Sequence, residues 1–500
     1  MTSFLKDKKV LIFIFAVVYL LALVILLRSA VLSGYFYRLN ADEVYHSNLV
    51  YLMLKGFRPY ADFYSTYSPF LQLYLMPVFI IFGATLKAIT ASRIMMILLY
   101  LLQIFLWFLL VKRVFEKKVA LLFVPLFLMD PFVVFVGMQI RPENLMMVFY
   151  ALFLLIFSYA YQNAKSKKLY FLSGILYALT FLMNLKILPS LTAFGIVFII
   201  YIFRNKLFRQ LLTFTNGFCL TFFIFLGYFL FAGYLPEMFQ GLFIDPITLN
   251  NSIPNATWLG YFYFQNPVIF GIDGKSMNWI YAWLLPVLAF AGGYSTLYPQ
   301  GVTKSQLAHP EGDQSLMKII LFTSLFLQWF SMLFINSVFI QYYIPLNWLY
   351  SLFTAYFAVH LISQFNESKL LQKAVTAVLL IFFVLIYRAS IQGNIARSKM
   401  TDDPIVKEMN EFWKLVPEDS PAFPNIPFRK PIYPILWGST FAPYMRERYA
   451  SVYKVIEKNK LPMLVGLSDE YFSFLDLDSQ QYIQNNYQRD DSDKRIWKRK

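Results

Sequence analysis

The sequence predicts an all-α polytopic membrane protein that ends in a small α/β domain, and three observations carry that expectation. Of its 500 residues, 58% are hydrophobic and only 14% charged, whereas a soluble domain carries about a quarter charged residues. Apolar stretches of membrane-crossing length recur from residue 10 to residue 391. Beyond residue 392 the character changes: charged and apolar residues mix, and Pro417, Pro421, Pro424, Pro427, Pro431 and Pro434 crowd one stretch. The mean hydropathy of +0.54 points the same way.

A net charge of +16 raises the question of nucleic acid. The basic residues, however, gather in short clusters between apolar segments, where positive charge sets membrane topology. No aromatic-basic groove or zinc-finger spacing accompanies them, which argues against a nucleic-acid partner. Cys219 is the single cysteine, so no disulfide forms within the chain. His46, His309 and His360 are far apart and form no metal-ligand pattern. Phosphate-loop, Rossmann and metalloprotease motifs are absent.

Topology follows from the clusters Lys6/Lys8/Lys9, Lys112/Arg113/Lys117/Lys118, Lys165/Lys167/Lys168 and Arg204/Lys206/Arg209, with a weaker one at Lys369 and Lys373. Placing them all on the cytoplasmic side makes the first helix, 10–31, a retained span running outward from a cytoplasmic N-terminus. Residues 69–86 also look like a span, but a crossing there would put the Lys112–Lys118 cluster outside. An interfacial or re-entrant helix within an outer loop, 32–92, resolves the conflict, and a full crossing is the alternative. The remaining spans are expected near 93–111, 119–138, 144–162, 169–185, 187–203, 210–233, 279–297, 317–335, 342–364 and 374–391, about eleven with the first. A long outer loop occupies 234–278. The chain thus divides into a membrane domain, 1–391, and an extracytoplasmic domain, 392–500. In that tail, Tyr444–Lys460 and Glu470–Tyr487 have helical patterns and Pro462–Leu467 that of a strand.

Few residues are placed to carry chemistry. Asp42 and Glu43 follow the first helix directly, in Asn40-Ala-Asp-Glu-Val-Tyr-His46. Paired carboxylates at a membrane surface suit general-base work, because partial desolvation raises their basicity. The same residues equally suit the N-cap of a helix running to Leu54. Arg141 and Glu143 are the charges of the next outer turn, Gln139-Ile-Arg-Pro-Glu-Asn144, where a functional site and simple capping by Pro142 and Glu143 are both open. Asp130, in an apolar stretch, must face a cavity or find a partner. Lys186 and Arg93, near outer helix ends, hold a lipid phosphate or snorkel to the interface. Trp258, Tyr261, Phe262, Tyr263 and Phe264 in the long outer loop suit sugar stacking or a membrane aromatic belt.

Taken in order, these features resemble the GT-C glycosyltransferases, in particular the bacterial aminoarabinose transferases, the protein O-mannosyltransferases and related bacterial membrane enzymes. The acidic pair Asp42-Glu43 stands after the first helix. Gly56-Phe-Arg-Pro-Tyr-Ala-Asp62 and Ser68-Pro69 match a stretch common in those families before an interfacial helix. Arg93, Glu143 within Arg-Pro-Glu, Lys186 and Gln341-Tyr342-Tyr-Ile-Pro345 fall where the pattern continues. Asn486-Tyr487 and Arg495-Ile-Trp497 resemble family tails. The resemblance covers nearly the whole chain and is most specific over 34–190. Two departures stand out: Glu143 replaces a more usual aspartate, and Gln341 a frequent basic residue.

The resemblance implies a sugar donor on a polyprenyl phosphate, an extracytoplasmic acceptor (glycan, lipid or protein), and residence in the bacterial inner (plasma) membrane. It implies Asp42 as general base, Glu43 and Glu143 as orienting carboxylates, and Arg93 and Lys186 as partners of the leaving phosphate. Arg141, Tyr60, Asp62 and Tyr342 join the substrate-binding candidates. No metal ligand and no firm cofactor is expected, and a divalent metal stays open. A lipid-linked sugar transporter or flippase is the rival class, but it should carry ionisable residues along the middle of several spans. A catalytically silent membrane scaffold is the third.

Overall fold

The structure is a computed structural model, and it describes residues 8–163, 165–252, 284–297, 314–335, 340–365, 368–418, 420–423, 426–431, 452–473 and 475–500. The aromatic residues 258–264 lie outside those residues, as does the start of the tail helix expected at 444.

Among the described residues seven helices are long and apolar enough to cross a membrane. They include α1 (Lys8–Phe36), α4 (Leu86–Val114), α7 (Pro142–Gln162) and α10 (Phe208–Phe231). The others are Leu185–Asn205, containing α9 (Leu188–Asn205), then Ser315–Phe334 and Lys369–Ser398. Four further apolar helices accompany them: α5 (Lys117–Met129), α8 (Lys167–Met183), Leu285–Leu297 and Ile344–Gln364. The protein is therefore an integral, multi-pass membrane protein built of helices.

The first loop carries α2 (Ala41–Leu54) and α3 (Phe70–Phe82). Thirteen residues at about 1.5 Å each make α3 roughly 20 Å long, short of the ~30 Å hydrocarbon core. Its outer end exposes Ile80, Ile81 and Phe82 while Leu71, Leu75 and Phe79 pack inward. That is the profile of a helix lying against the membrane surface.

The segment expected as one span at 119–138 is broken. Helix α5 ends at Met129, and α6 (Pro131–Gly137) restarts it. Proline at 131 disfavours helical backbone at Asp130. Asp130 then caps α6, its carboxylate accepting from the Val133 amide at 3.1 Å and from Asn347 Nδ2 at 3.2 Å. A carboxylate with 0% exposure is thus answered by hydrogen bonds.

Helices α8 and α10 cross at glycines. A Cβ at Gly174 would overlap the Phe214 carbonyl, and one at Gly217 the Phe171 carbonyl. Small residues permit such close backbone approach where lipid supplies no hydrophobic drive between helices.

The last apolar helix, Lys369–Ser398, runs through residue 392. An amphipathic helix, Pro404–Leu415, follows, then two parallel two-residue strands, β1 (Pro421–Ala422) and β2 (Lys430–Pro431). A three-stranded antiparallel sheet has the order β3 (Met463–Val465), β5 (Ile496–Arg499), β4 (Tyr487–Arg489). The stretch expected as one helix from Glu470 to Tyr487 is two, Asp469–Ser473 and Leu477–Asn486, with Asp476 capping the second. The tail is joined to the membrane body by Leu39 N donating to Asp403 at 2.5 Å and Phe428 N donating to Asn48 Oδ1 at 2.9 Å.

Candidate active site

The start of α2 is a capping box: Asn40 Oδ1 accepts from the Asp42 amide at 2.9 Å, and Asn40 N donates to Glu43 Oε2 at 3.0 Å. The capping reading of the acidic pair is therefore correct for Asn40 and Glu43. It leaves Asp42 free for something else.

Glu43 has no exposed surface. Besides the Asn40 bond it accepts from Arg93 Nε at 2.8 Å, Arg93 Nη2 at 2.6 Å and the Ile140 amide at 3.3 Å. Arg93 in turn donates from Nη1 to the carbonyls of Tyr35 and Tyr37 and from Nη2 to that of Arg38 at 3.1 Å. All five of its N–H groups are engaged. This post ties together the end of α1, the start of α2, α4 and the turn before α7. It has nothing left over for a ligand, and neither residue lines the cavity beside it.

Neighbouring residues on a helix point about 100° apart, so Asp42 leaves that post and faces a cavity of about 720 Å³. Its Oδ2 lies 2.6 Å from Arg141 Nη1, and its side chain keeps 30% exposure. Arg141 is steadied by Gln139 Oε1, which accepts from Nε at 2.8 Å. Across the cavity, the break between α8 and α9 presents Lys186. Asn184 caps that turn, its Oδ1 accepting from Lys186 N at 3.0 Å, and Gln328 Nε2 donates to the Lys186 carbonyl at 3.1 Å. The Lys186 ammonium is paired with the buried Glu143 and sits 4.6 Å from the centre of the Tyr342 ring.

Of the residues singled out in the sequence, Asp42, Arg141, Lys186 and Tyr342 share this cavity, with Gln341 beside them. Glu143 meets it through Lys186. Tyr60 and Asp62 lie outside it. Arg58 holds Asp62 with Nε and Nη2, both at 3.0 Å, and keeps its carboxyl below the ordinary carboxylate range. Tyr60, with φ of 68°, donates its hydroxyl to the Tyr67 carbonyl at 2.8 Å. These two residues shape the loop that presents Tyr64, Thr66 and Tyr67 to the cavity.

His46, Asn184 and Gln328 also line the cavity, and a search of the sequence for metal spacing passes over them. His46 was legible in one respect: it follows Asp42 by four residues, hence on the same helix face. Among the described residues no three His, Cys, Asp or Glu side chains gather in a group able to hold a metal ion.

A family model described as dolichyl-phosphate-mannose-protein mannosyltransferase matches residues 68–230. No curated protein sequence matches the chain. Among solved structures, the fold is similar to that of ArnT from Cupriavidus metallidurans bound to undecaprenyl phosphate. That match has 13% identity, covers 97% of each chain and has a TM-score of 0.60. The apo state of the same protein matches at 12% identity over 97% of each chain, with a TM-score of 0.58. The Archaeoglobus fulgidus oligosaccharyltransferase, tethered with an acceptor peptide containing the NVT sequon, matches at 14% identity over 93% of this chain and 72% of that one, with a TM-score of 0.52. At such identities the structural likeness speaks to the fold. The fold is thus similar to that of solved membrane glycosyltransferases, and a mannosyltransferase family model matches about a third of the chain. The matched residues, 68–230, include Arg141, Asn184, Lys186 and Pro189 of the cavity wall.

Proposed function

We propose that the protein transfers a sugar from a polyprenyl-phosphate donor to an extracytoplasmic acceptor hydroxyl on a glycan, lipid or protein, with inversion at the anomeric carbon. The observation that carries this reading is the cavity itself, with one accessible carboxylate, Asp42, on one wall and the cations Arg141 and Lys186 beside and opposite it. Of the three candidate carboxylates, Glu43 is saturated by its four hydrogen bonds and Glu143 is buried against Lys186. Asp42 is the one with an oxygen open to the cavity.

In this mechanism the acceptor hydroxyl gives its proton to Asp42 as its oxygen attacks the anomeric carbon. The bond from that carbon to the phosphate oxygen breaks, and its electron pair goes to the phosphate. The polyprenyl phosphate leaves with one more negative charge, which Lys186 and Arg141 neutralise in a poorly solvated site. Arg93, assigned to the phosphate by resemblance alone, acts here through Glu43 as a positioning residue. The ArnT structure bound to undecaprenyl phosphate supports a lipid carrier of this class. The fold and the acceptor chemistry suit the bacterial inner membrane with the tail outside.

The test is transfer from polyprenyl-phosphate sugars by the purified full-length protein. Release of polyprenyl phosphate coupled to acceptor glycosylation supports the reading. Transbilayer movement of the lipid-linked sugar without any transfer would contradict it and favour the flippase class.

A further inference from the structure

His46 lies in the cavity wall, and the roles assigned above do not use it. Its ring is 2% exposed, and Nδ1 is enclosed with no hydrogen-bond partner. Among the described residues Nε2 has none either. Asn184, 5% exposed in the same wall, also leaves Nδ2 without a partner while its Oδ1 caps the Lys186 turn. Buried polar groups in folded proteins are nearly all satisfied, so two unanswered side chains lining one cavity point to a ligand that answers them.

Their position says which part of a ligand. The His46 ring packs edge-on against Tyr67, with 5.2 Å between centroids, and the Lys186 ammonium lies 5.7 Å from the centre of that same Tyr67 ring. His46 is therefore one aromatic ring away from the cation that faces the phosphate. A sugar joined through its anomeric carbon to a phosphate at Lys186 would lie along the cavity wall that Tyr67 and His46 share.

The electrostatics say which chemistry. Asp42 and Glu143 favour a charged imidazole, while Arg141 and Lys186 oppose it. Burial outweighs all of these and brings the pKa down to about 4. A neutral imidazole offers one donor and one acceptor, which is the pairing a hydroxyl group seeks. It has no charge with which to bind phosphate.

We propose that His46, with Asn184, binds hydroxyl groups of the sugar carried on the lipid phosphate and so governs which sugar is accepted. The assignment rests on the donor reading given above. A site built to hydrogen-bond a hydroxyl discriminates strongly, because an unsuitable sugar leaves its buried polar groups unpaired.

The test measures binding of bare polyprenyl phosphate, and of polyprenyl-phosphate glucose, galactose and mannose, to the full-length protein in lipid nanodiscs. Wild type is expected to favour at least one sugar lipid over the bare carrier by about tenfold. His46→Phe should erase most of that preference and leave the bare carrier bound within about twofold, His46→Gln should restore part of it, and Asn184→Ala should lower it. Lys186→Gln should weaken all four lipids alike. Equal weakening of bare and sugar-bearing lipids by His46→Phe, or no effect on either, overturns the role of His46 while the donor reading stands. So does a wild type that binds all four equally. A wild type that binds none of them overturns the donor reading, and the role of His46 falls with it. Retained binding of the bare carrier doubles as the control for folding.

Discussion

Two ion pairs one residue apart on α2 have opposite fates. Glu43 and Arg93 are sealed together, every acceptor and donor position answered by protein. Asp42 and Arg141 meet at the same short distance, 2.6 Å, yet Asp42 remains partly exposed to a cavity. The difference shows that charge and adjacency do not define a site. A pair whose hydrogen-bonding capacity is exhausted builds the wall, and a pair with capacity left over is available for chemistry. The sealed pair also fixes the open one, because Glu43 accepts from the Ile140 amide immediately before Arg141.

The comparison breaks most visibly through stability. Glu43→Ala leaves Arg93 buried without its partner, which should cost about 3–5 kcal/mol. The expected readout is a large drop in thermal unfolding temperature, with binding and transfer lost together. If Glu43→Ala unfolds like wild type, the wall reading of this pair is wrong. Lys186→Gln sharpens the opposite side of the cavity. Removing one preorganised charge partner should lower transfer by about 10²–10³-fold, seen mainly in kcat, and the unfolding temperature should fall as well, because Glu143 is left buried without its partner.

A smaller effect concerns pH. His46 has its folded pKa lowered to about 4 from an ordinary 6.5, so between those values the unfolded chain holds a proton that the folded protein lacks. Stability should fall as pH drops from about 6.5 toward 4, and His46 should contribute no slope above that window. Unfolding temperatures of wild type and His46→Phe across pH 7.5 to 4.5 check this, and the variant should show the shallower fall. Smallest of all is Lys55→Ala. The Lys55–Glu418 pair between α2 and the tail spans 3.6 Å with both side chains largely exposed, and its loss should move stability by less than about 1 kcal/mol.

Much of this was legible in the sequence, for identifiable reasons. Membrane helices follow from apolar length, which local composition encodes. The N-cap at the start of α2 is legible, whereas the break at Asp130-Pro131 is masked by a 20-residue apolar window that runs straight across it. The interfacial character of α3 follows from Pro69, Pro77 and the basic cluster beyond α4. What stayed hidden are pairings over long separations: Glu43 with Arg93, Asp42 with Arg141, and Lys186 with Glu143. Nothing local in Glu43 says that it will be walled in while Asp42 is not. His46 was obscured for a different reason, since its role depends on partners it lacks. In the tail, β3 falls within the stretch Pro462–Leu467 that reads as a strand, whereas β4 and β5 depend on pairing with their neighbours and left little mark on the residues themselves.

The measurement that tests the central claim most directly is the rate of sugar transfer from a polyprenyl-phosphate donor by Asp42→Asn, taken together with its unfolding temperature. A general base contributes about 10²–10⁴-fold, so transfer should fall by that factor while donor binding and unfolding temperature stay close to wild type. Transfer at near the wild-type rate by a well-folded Asp42→Asn protein would contradict the account.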